Sequence, residues 1–177
     1  MALVSVSDLL FKADREGYAV GAFNANNMEI IQAIAEAAAL ENSPVIMQAS
    51  QGAIKYAGLE FITGLVKLAA DQYQVPIALH LDHGTDFEQV VKCIRSGFSS
   101  VMYDGSKLPL EENIAMTNKV LEIARPIGVS VEAELGKIGG TEDHVHVDER
   151  DALYTDPEEA KIFVEQTGIE SLAIAIG

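Results

Sequence analysis

Short apolar runs alternate with amphipathic stretches along the whole chain. Polar or small residues follow each run, which is typical of a strand that is buried on both faces. The runs predict six strands, at residues 20–24, 45–50, 77–83, 100–105, 129–136 and 171–177. A short helix is predicted to begin near Ser7, before the first of these strands.

The stretches between the strands carry apolar residues at helical spacing, as Met28, Ile31 and Ala35 illustrate. Capping residues predict where several helices begin and end. The predicted starts are Asn26 with Glu29, Thr85 with Glu88, and Asp156 with Pro157; the predicted ends are Gly97 and Gly168. Strands that alternate with helices predict a parallel sheet covered by helices.

Six strands of this kind fit either a doubly wound open sheet or part of a (β/α)8 TIM barrel. A dinucleotide-binding sheet is disfavoured because no Gly-x-Gly-x-x-Gly motif follows the first strand. A complete barrel needs eight strands and roughly 250 residues. The chain has 177 residues and ends on its sixth predicted strand, so a barrel would be partial.

Polar residues fall at the predicted ends of five successive strands. They are Asn24, Ser50, Asp82 with His83, Asp104, and Glu134. Catalytic groups of a barrel collect at the C-terminal ends of its strands, on one face. Glu132 and Glu134 are two residues apart, so both should project to the same side. Because a carboxylate inside a barrel is costly without a cation or hydrogen-bond donors, this repeated placement indicates a site.

His83, Asp104 and Glu134 can all bind a divalent metal ion, because imidazole suits zinc and carboxylates suit zinc or harder cations. Each also has a structural alternative. His83 could be a core histidine, Asp104 could belong to a simple turn, and the acids of the fifth strand could pair with Lys137 or Arg125. Acids on neighbouring strands favour the metal interpretation of His83, whereas the two interpretations of Asp104 are even.

His80 precedes His83 by three residues, a spacing that could be mistaken for two ligands of one metal ion. On a regular strand such residues point to opposite faces, so we expect His80 to be structural. Asn24 and Ser50 allow two interpretations, contact with a ligand or capping at a strand end, and the local pattern does not separate them.

The polar segment 139–150 follows the fifth strand and is predicted to be a loop that includes His144 and His146. Its two adjacent glycines and Glu142 fit a mobile loop that carries a general base over a site after substrate binds. An ordinary exposed loop acid is the alternative, and generic statistics favour it.

Composition narrows the range of partners. Net charge is −15, from 27 acidic and 12 basic residues without a basic block, so neither nucleic acid nor an anionic membrane is expected as a partner. Cys93 is the single cysteine, which fits a reducing compartment. The start of the chain lacks a signal-peptide pattern, and no apolar stretch approaches the roughly 20 residues of a membrane span. We therefore expect a cytoplasmic protein.

Three segments resemble the signature segments of the class II (zinc-dependent) fructose-bisphosphate aldolase family, which also contains tagatose-bisphosphate aldolase. They are 79–84 (LHLDHG), 100–106 (SVMYDGS) and 130–136 (SVEAELG); 17–24 (GYAVGAFN) and 139–143 (GGTED) match as well. The resemblance covers essentially the whole chain. It implies an α/β fold, a (β/α)8 TIM barrel of which residues 1–177 supply about the first six strands as a single partial domain.

The resemblance implies a metal role for three of the candidates. His83 would be one of three histidines on a catalytic Zn2+, while Asp104 and Glu134 would hold a second or alternative metal position. The zinc ion would act as a Lewis acid that stabilises the charge left by cleavage of the C3–C4 bond. A monovalent cation, Na+ or K+, would assist phosphate binding.

The resemblance also implies roles in substrate binding and proton transfer. Asn24, Ser50 and Asp82 would contact the substrate. Asp82 would exchange a proton with the C4 hydroxyl of the ketose bisphosphate, and Glu142 would move the C3 proton of dihydroxyacetone phosphate.

The implied reaction is the reversible cleavage of fructose 1,6-bisphosphate to dihydroxyacetone phosphate and glyceraldehyde 3-phosphate, a step of glycolysis and gluconeogenesis, by a homodimer or homotetramer. Tagatose 1,6-bisphosphate is an alternative substrate. A Schiff-base aldolase would need a barrel lysine, and Lys107 and Lys137 follow strands rather than lie within them. A non-catalytic scaffold fragment is a third possibility, although a scaffold gains nothing from buried acids.

The family's other two zinc histidines and its usual phosphate-binding loops would lie beyond Gly177. We therefore expect residues 1–177 alone not to bind the catalytic zinc tightly and not to turn over substrate.

Overall fold

The computed structural model of the chain is an α/β structure in which helices flank one main sheet. It describes residues 3–137, 140–142, 145–147 and 154–176, and of 140–142 and 145–147 the backbone alone. The elements are α1 (Val6–Glu16), β1 (Gly21–Asn24), α2 (Met28–Leu40), β2 (Val45–Ser50), α3 (Gln51–Ala57), α4 (Leu59–Gln72), β3 (Ile77–Gly84), α5 (Phe87–Ser96), β4 (Ser100–Tyr103), α6 (Leu110–Ala124), the 3-10 turn η1 (Arg125–Ile127), β5 (Ser130–Leu135), β6 (Gly140–Glu142), β7 (Val145–Val147), α7 (Pro157–Thr167) and β8 (Ser171–Ile174).

The main sheet has six parallel strands in the order β1-β2-β3-β4-β5-β8. The strands of this sheet are therefore neighbours in space in the order in which they occur along the chain. The sheet curls into a half-barrel, which confirms the predicted α/β fold with six strands of a TIM barrel. β1 and β8 form its two edges. The predicted strands at 100–105 and 129–136 run past the observed ends, which are Tyr103 and Leu135.

Residues on each strand face the helices and the inside of the curl in alternation. On β5, Val131 packs into the main apolar cluster with helix residues, and Ala133 and Leu135 pack against Phe163 of α7. Glu132 and Glu134 therefore project to the other side, which we call the inner face. Burial of each large apolar side chain stabilises the fold by roughly 1.5–3 kcal/mol.

Helix α1 lies against the inner face at the N-terminal ends of the strands. Its Val6 and Leu9 pack on Ile46 of β2 and Ala78 of β3, and the Val6 N–H donates to Ser130 Oγ at 3.1 Å. The helix begins at Val6, with Ser5 as its N-cap. This is one residue before the predicted start near Ser7. It closes the end of the half-barrel opposite the polar strand ends.

Two predicted helix caps are wrong by one residue. Asn27 rather than Asn26 caps α2, accepting from the Ile30 N–H at 2.9 Å. Asp86 rather than Thr85 caps α5, accepting from the Glu88 N–H. In both places two competent residues are adjacent, so residue type alone cannot choose between them. The other predicted helix ends are confirmed: Asp156 caps α7, and Gly97 and Gly168 end α5 and α7.

The prediction of a loop over 139–150 is wrong in part, because β6 and β7 form an antiparallel pair there. Thr141 pairs with His146, so His146 belongs to a strand. Strands of three residues are too short for a clear two-residue periodicity in sequence. His144 lies outside the described residues.

No helix in the described part of the chain is long and apolar enough to cross a bilayer.

Candidate metal and active site

Three of the predicted site residues meet at the C-terminal rim of the sheet. The ligand atoms of His83, Asp104 and Glu134 all lie within 4.8 Å of one another. His83 Nδ1 is 3.2 Å from Asp104 Oδ2 and 3.5 Å from Glu134 Oε2. His83 and Asp104 are buried and Glu134 is half-buried. We refer to these residues as the triad.

An irregular end of β3 brings His83 into the triad. His83 has a φ of 49°, in the left-handed region that residues other than glycine seldom adopt. The register between β3 and β4 shifts between Leu81 and Gly84. Gly84 allows the close approach of the two strands, because a Cβ there would lie 2.5 Å from the Met102 carbonyl oxygen.

The expectation that His80 and His83 face opposite sides is wrong. His80 Nε2 lies 3.8 Å from Glu132 Oε2, and His83 Nδ1 lies 3.5 Å from Glu134 Oε2. Glu132 and Glu134 alternate on a regular strand and share the inner face, so both histidines reach that face. The left-handed backbone at His83 breaks the alternation on which the expectation rested.

Each member of the triad is held by a donor from another residue. The Gln51 side-chain N–H donates to the His83 carbonyl, and the Asn113 amide donates to the Glu134 carbonyl at 2.9 Å. The Ser106 backbone N–H and hydroxyl donate to Asp104 Oδ1 at 3.1 and 2.7 Å. Such outer partners fix the orientation of metal ligands in proteins.

Sequence reasoning missed all three of these outer residues. Ser106 follows Asp104 by two positions, an arrangement typical of an Asp side chain that closes a turn, and this local signal could have identified it. Gln51 and Asn113 contact residues that are 32 and 21 positions away along the chain. A local sequence pattern does not predict contacts of this range.

The two acids and the surrounding charge determine the protonation of His83. The hydrogen bond to Asp104 and the charges of Asp82 and Glu134 raise the pKa of His83 to about 9, against the opposing effect of burial. Burial alone would raise the pKa of Asp104, but the hydrogen bonds from His83 and Ser106 outweigh it and lower that pKa. The acidic neighbours of His83 therefore favour the protonated form of its imidazole when no metal ion is bound.

A buried polar network lies beside the triad on the inner face. His80 Nδ1 is 2.8 Å from Ser100 Oγ, and the Ser171 hydroxyl donates to Glu132 Oε2 at 3.2 Å. Burial lowers the pKa of His80 to about 4, although the Asp82 charge acts the other way. Burial also raises the pKa of Glu132, against the hydrogen bond from Ser171. A neutral, hydrogen-bonded His80 fits the structural role expected of it.

The triad fits a divalent metal ion. It offers one imidazole nitrogen and two carboxylate oxygens, a set that suits Zn2+ and harder divalent cations. Three protein ligands would leave a coordination position open, as catalytic metal sites require. A cation would also replace the shared proton as the positive charge between the acids.

Two predicted substrate contacts are neighbours on adjacent strands. Ser50 and Asp82 are in register across β2 and β3, and both are buried. Ser50 Oγ accepts from the Ala53 N–H at 3.2 Å and so caps α3, which is the capping role considered above. Asn24, the exposed last residue of β1, pairs with Gln48 of β2. Glu142 lies in β6, and its side chain is outside what the structure describes.

Two of the basic residues of the alternative interpretations have other surroundings. Arg125 forms an ion pair with Glu170 at 3.3 Å. Lys107 is exposed.

Cys93 is buried, and burial raises the pKa of its thiol to about 11, so the thiol is neutral.

The fold and the rim together define part of a TIM barrel with a candidate divalent-metal centre. The family described as class-II fructose-bisphosphate aldolase matches residues 4–177. The chain belongs to this family.

Two curated relatives and two solved structures illustrate the similarity. The chain is 54% identical to fructose-bisphosphate aldolase of Thermus caldophilus over 99% of this chain and 57% of that protein. It is 51% identical to fructose-bisphosphate aldolase of Helicobacter pylori J99 over the same shares. The crystal structure of the YdjI aldolase from Escherichia coli K12 superposes with a TM-score of 0.86 at 34% identity, over 99% of this chain and 62% of that one. For fructose-bisphosphate aldolase of Campylobacter jejuni the TM-score is 0.80 at 30% identity, over 99% and 58%. The chain thus spans about three fifths of the length of these relatives.

Proposed function

We propose that the protein carrying these residues is a zinc-dependent aldolase that cleaves fructose 1,6-bisphosphate reversibly to dihydroxyacetone phosphate and glyceraldehyde 3-phosphate. One observation supports this most strongly. In a chain of the class-II family, the ligand atoms of His83, Asp104 and Glu134 lie within 4.8 Å of one another, beside the buried carboxylate of Asp82.

Asp82 is the proposed base for the cleavage direction. It takes the proton of the C4 hydroxyl, the C4 oxygen forms the carbonyl of the leaving aldehyde, and the electron pair of the C3–C4 bond remains on C3. In the condensation direction Asp82 returns the proton to the C4 oxygen. A divalent ion held by His83, Asp104 and Glu134 supplies Lewis-acid stabilisation of the developing charge when it is bound. Glu142 is proposed to deliver the proton that C3 takes up after cleavage, which gives dihydroxyacetone phosphate, and to remove that proton in the condensation direction.

Ser50 and Asn24 are proposed substrate contacts. Ser50 Oγ accepts a hydrogen bond from the Ala53 N–H. A hydroxyl that accepts one hydrogen bond can still donate its own hydrogen, and we propose that Ser50 donates it to a substrate oxygen. Asn24 offers both a donor and an acceptor at the exposed end of β1. A monovalent cation, Na+ or K+, would offset phosphate charge near an acidic protein of net charge −15.

Several further properties are proposed on the same family basis. The protein is a cytoplasmic homodimer or homotetramer, it acts on soluble sugar phosphates, and residues 1–177 form one partial barrel domain. Tagatose 1,6-bisphosphate, which differs in configuration at C4, is the alternative substrate, and turnover of the two sugars side by side separates the two proposals. The exposure of Lys107 disfavours a Schiff base there, and borohydride trapping with substrate tests that mechanism.

Replacement of Asp82 tests the proposed function directly. Because the chain spans 57% of its Thermus caldophilus relative, the assay uses residues 1–177 joined to the remaining part of that relative. We expect this chimera to release dihydroxyacetone phosphate from fructose 1,6-bisphosphate and to lose activity with a chelator. We expect Asp82→Asn to lower kcat about 100- to 10,000-fold, the usual contribution of a general base.

Asp86→Asn is the matched control, since Asp86 is an exposed N-cap four residues away and Asn caps helices equally well. It should leave kcat unchanged. Full activity of the Asp82→Asn chimera, or a folded, metal-loaded chimera with no cleavage of either sugar bisphosphate, would refute the proposal.

A further inference from the structure

Gln51 makes a long-range contact with the most irregular part of the rim. It is the first residue of α3, directly after the N-cap Ser50. Its side-chain Nε2 donates to the His83 carbonyl oxygen at 2.7 Å and to Thr85 Oγ1 at 2.9 Å. One amide group therefore binds the His83 backbone on one side of Gly84 and the Thr85 side chain on the other.

The backbone that Gln51 holds is strained. A residue other than glycine is strained in the left-handed region and stays there only where its surroundings enforce it, and His83 has a φ of 49°. The same turn places the His83 ring beside Asp104 and Glu134. A relaxed, extended His83 would follow the strand alternation and point away from these acids.

A neighbouring backbone hydrogen bond acts on a different part of the rim. The Asp104 N–H donates to the Gly84 carbonyl at 3.0 Å, and this bond joins the end of β4 to Gly84. The contact from Thr85 reaches the same Gln51 amide. Gln51 thus joins α3 and β2 to the segment that carries the triad histidine.

We propose that Gln51 is a positioning residue that holds the His83 backbone in its left-handed conformation and so places the imidazole in the metal site. The inference rests on the proposed metal function of the triad, and it assigns that site a support from outside the strands that carry the ligands. Gln51 acts through His83 and contacts neither the metal ion nor the substrate in this role.

Amide hydrogen exchange in the metal-free chimera tests the backbone part of this proposal. Gln51→Met keeps a side chain of similar length and removes the donor. We expect exchange of the Asp104 N–H, bonded to Gly84, to accelerate about tenfold, as the loss of one hydrogen bond allows. Exchange of the Ser99 N–H, which donates to the Leu79 carbonyl at the other end of the same strand pair, should stay within twofold of the wild type.

Co2+ binding by the chimera used to test the proposed function tests the metal part. Competition against a coloured chelator gives the affinity, and the visible absorption of bound Co2+ gives the geometry of its ligands. Loss of an outer partner of a metal ligand typically weakens affinity 10- to 100-fold. We expect Gln51→Met to weaken Co2+ binding about tenfold and to alter the absorption spectrum.

Two control variants separate positioning from a general loss of packing. Gln89→Met removes a second half-buried glutamine amide, which contacts Cys93 Sγ within α5, and it should change neither measurement. Thr85→Val removes one acceptor but leaves the bond to the His83 carbonyl, so its effect should be clearly smaller than that of Gln51→Met. If Gln51→Met does not fold, Gln51→Glu, which has the same shape and no N–H donor, replaces it in the exchange measurement.

The outcomes distinguish this inference from the function on which it rests. Wild-type Co2+ binding that Gln51→Met leaves unchanged, or an unchanged Asp104 exchange rate, would overturn the inference alone. Equal effects of Thr85→Val and Gln51→Met would also overturn it. A wild-type chimera that binds no Co2+ would overturn the triad as a metal site, and the role of Gln51 with it.

Discussion

Two histidines three positions apart have opposite protonation behaviour in this structure. His83 lies between two carboxylates, which raise its pKa to about 9. His80 is fully enclosed and hydrogen-bonded to Ser100, and burial lowers its pKa to about 4. The local environment rather than the strand sequence determines this difference, because a nearby anion favours imidazolium and desolvation favours neutral imidazole.

The low pKa of His80 predicts a pH dependence of stability in the metal-free chain. Above pH 6.5 both the folded and the unfolded chain carry a neutral His80. Between pH 6.5 and about 4 the unfolded chain binds a proton that the folded chain excludes, so the free energy of unfolding falls as pH falls. Below about pH 4 this loss levels off. The whole change corresponds to roughly 3 kcal/mol.

Urea unfolding of the wild type and of His80→Gln across this pH range isolates the effect from other titrating groups. The variant retains a hydrogen-bonding amide and has no group that titrates there. We expect the wild type to lose roughly 3 kcal/mol relative to the variant between pH 6.5 and 4. Parallel pH profiles for the two proteins would contradict the assignment of a buried neutral His80.

Residue types at strand ends predicted that the three side chains of the triad would lie at one rim, although they left the role of Asp104 even between a metal ligand and a turn. Carboxylates and an imidazole at the ends of parallel strands must share one rim, because the strands run in one direction. The outer residues were not predictable in this way. Gln51 and Asn113 are ordinary amides at helix positions, and only the packing of α3 and α6 beside the rim gives them their contacts with His83 and Glu134.

At the scale of elements, the junction of β3 and β4 determines the geometry of the site. Both strands contribute to the triad, and their register shifts where His83 turns. Gly84 sits at that shift because a side chain there would collide with the Met102 carbonyl and with Leu81. A glycine in a strand often marks such a close backbone approach.

Gly84→Ala is therefore expected to destabilise the chain by about 1–3 kcal/mol, the usual cost of overpacking, and to weaken divalent-metal binding as β3 and β4 separate. Chemical denaturation and a Co2+ titration measure the two effects. Gly64→Ala is the matched control: Gly64 lies within α4, and a Cβ there would meet nothing within 4 Å. It should stabilise the chain by about 0.5–1 kcal/mol. Equal responses of the two variants would contradict this account of Gly84.

Elements were predicted better than their boundaries. Six strands and most helices follow from apolar spacing, because buried strands and amphipathic helices impose different periods. The caps of α2 and α5 were misplaced where two polar residues are adjacent, as with Asn26 and Asn27. The β6–β7 pair was missed because its strands have three residues each, and the left-handed turn at His83 was missed because histidine gives no signal for it.

At the scale of the whole molecule, the apolar clusters and the polar site residues of the half-barrel lie in different places. Helix-facing strand residues form the apolar clusters, and α1 packs on the inner face at the N-terminal ends. The inner face near the opposite rim carries the polar groups of the triad and of the His80 network. This division follows from the alternation of side chains along each strand. Because of it, the strand patterns could predict the fold, and the motif segments at the strand ends could predict the family.

The central claim is that His83, Asp104 and Glu134 bind one divalent ion together. Calorimetric titration of Zn2+ into the chimera with the remaining part of the Thermus caldophilus relative, and into its Glu134→Gln and Glu132→Gln variants, tests it most directly. The two glutamates lie two residues apart on the same strand and the same face. We expect Glu134→Gln to weaken Zn2+ binding at least tenfold, since it removes a charged ligand, and Glu132→Gln to retain wild-type affinity within a few-fold. Equal affinities for all three proteins, or a greater loss for Glu132→Gln, would contradict the claim.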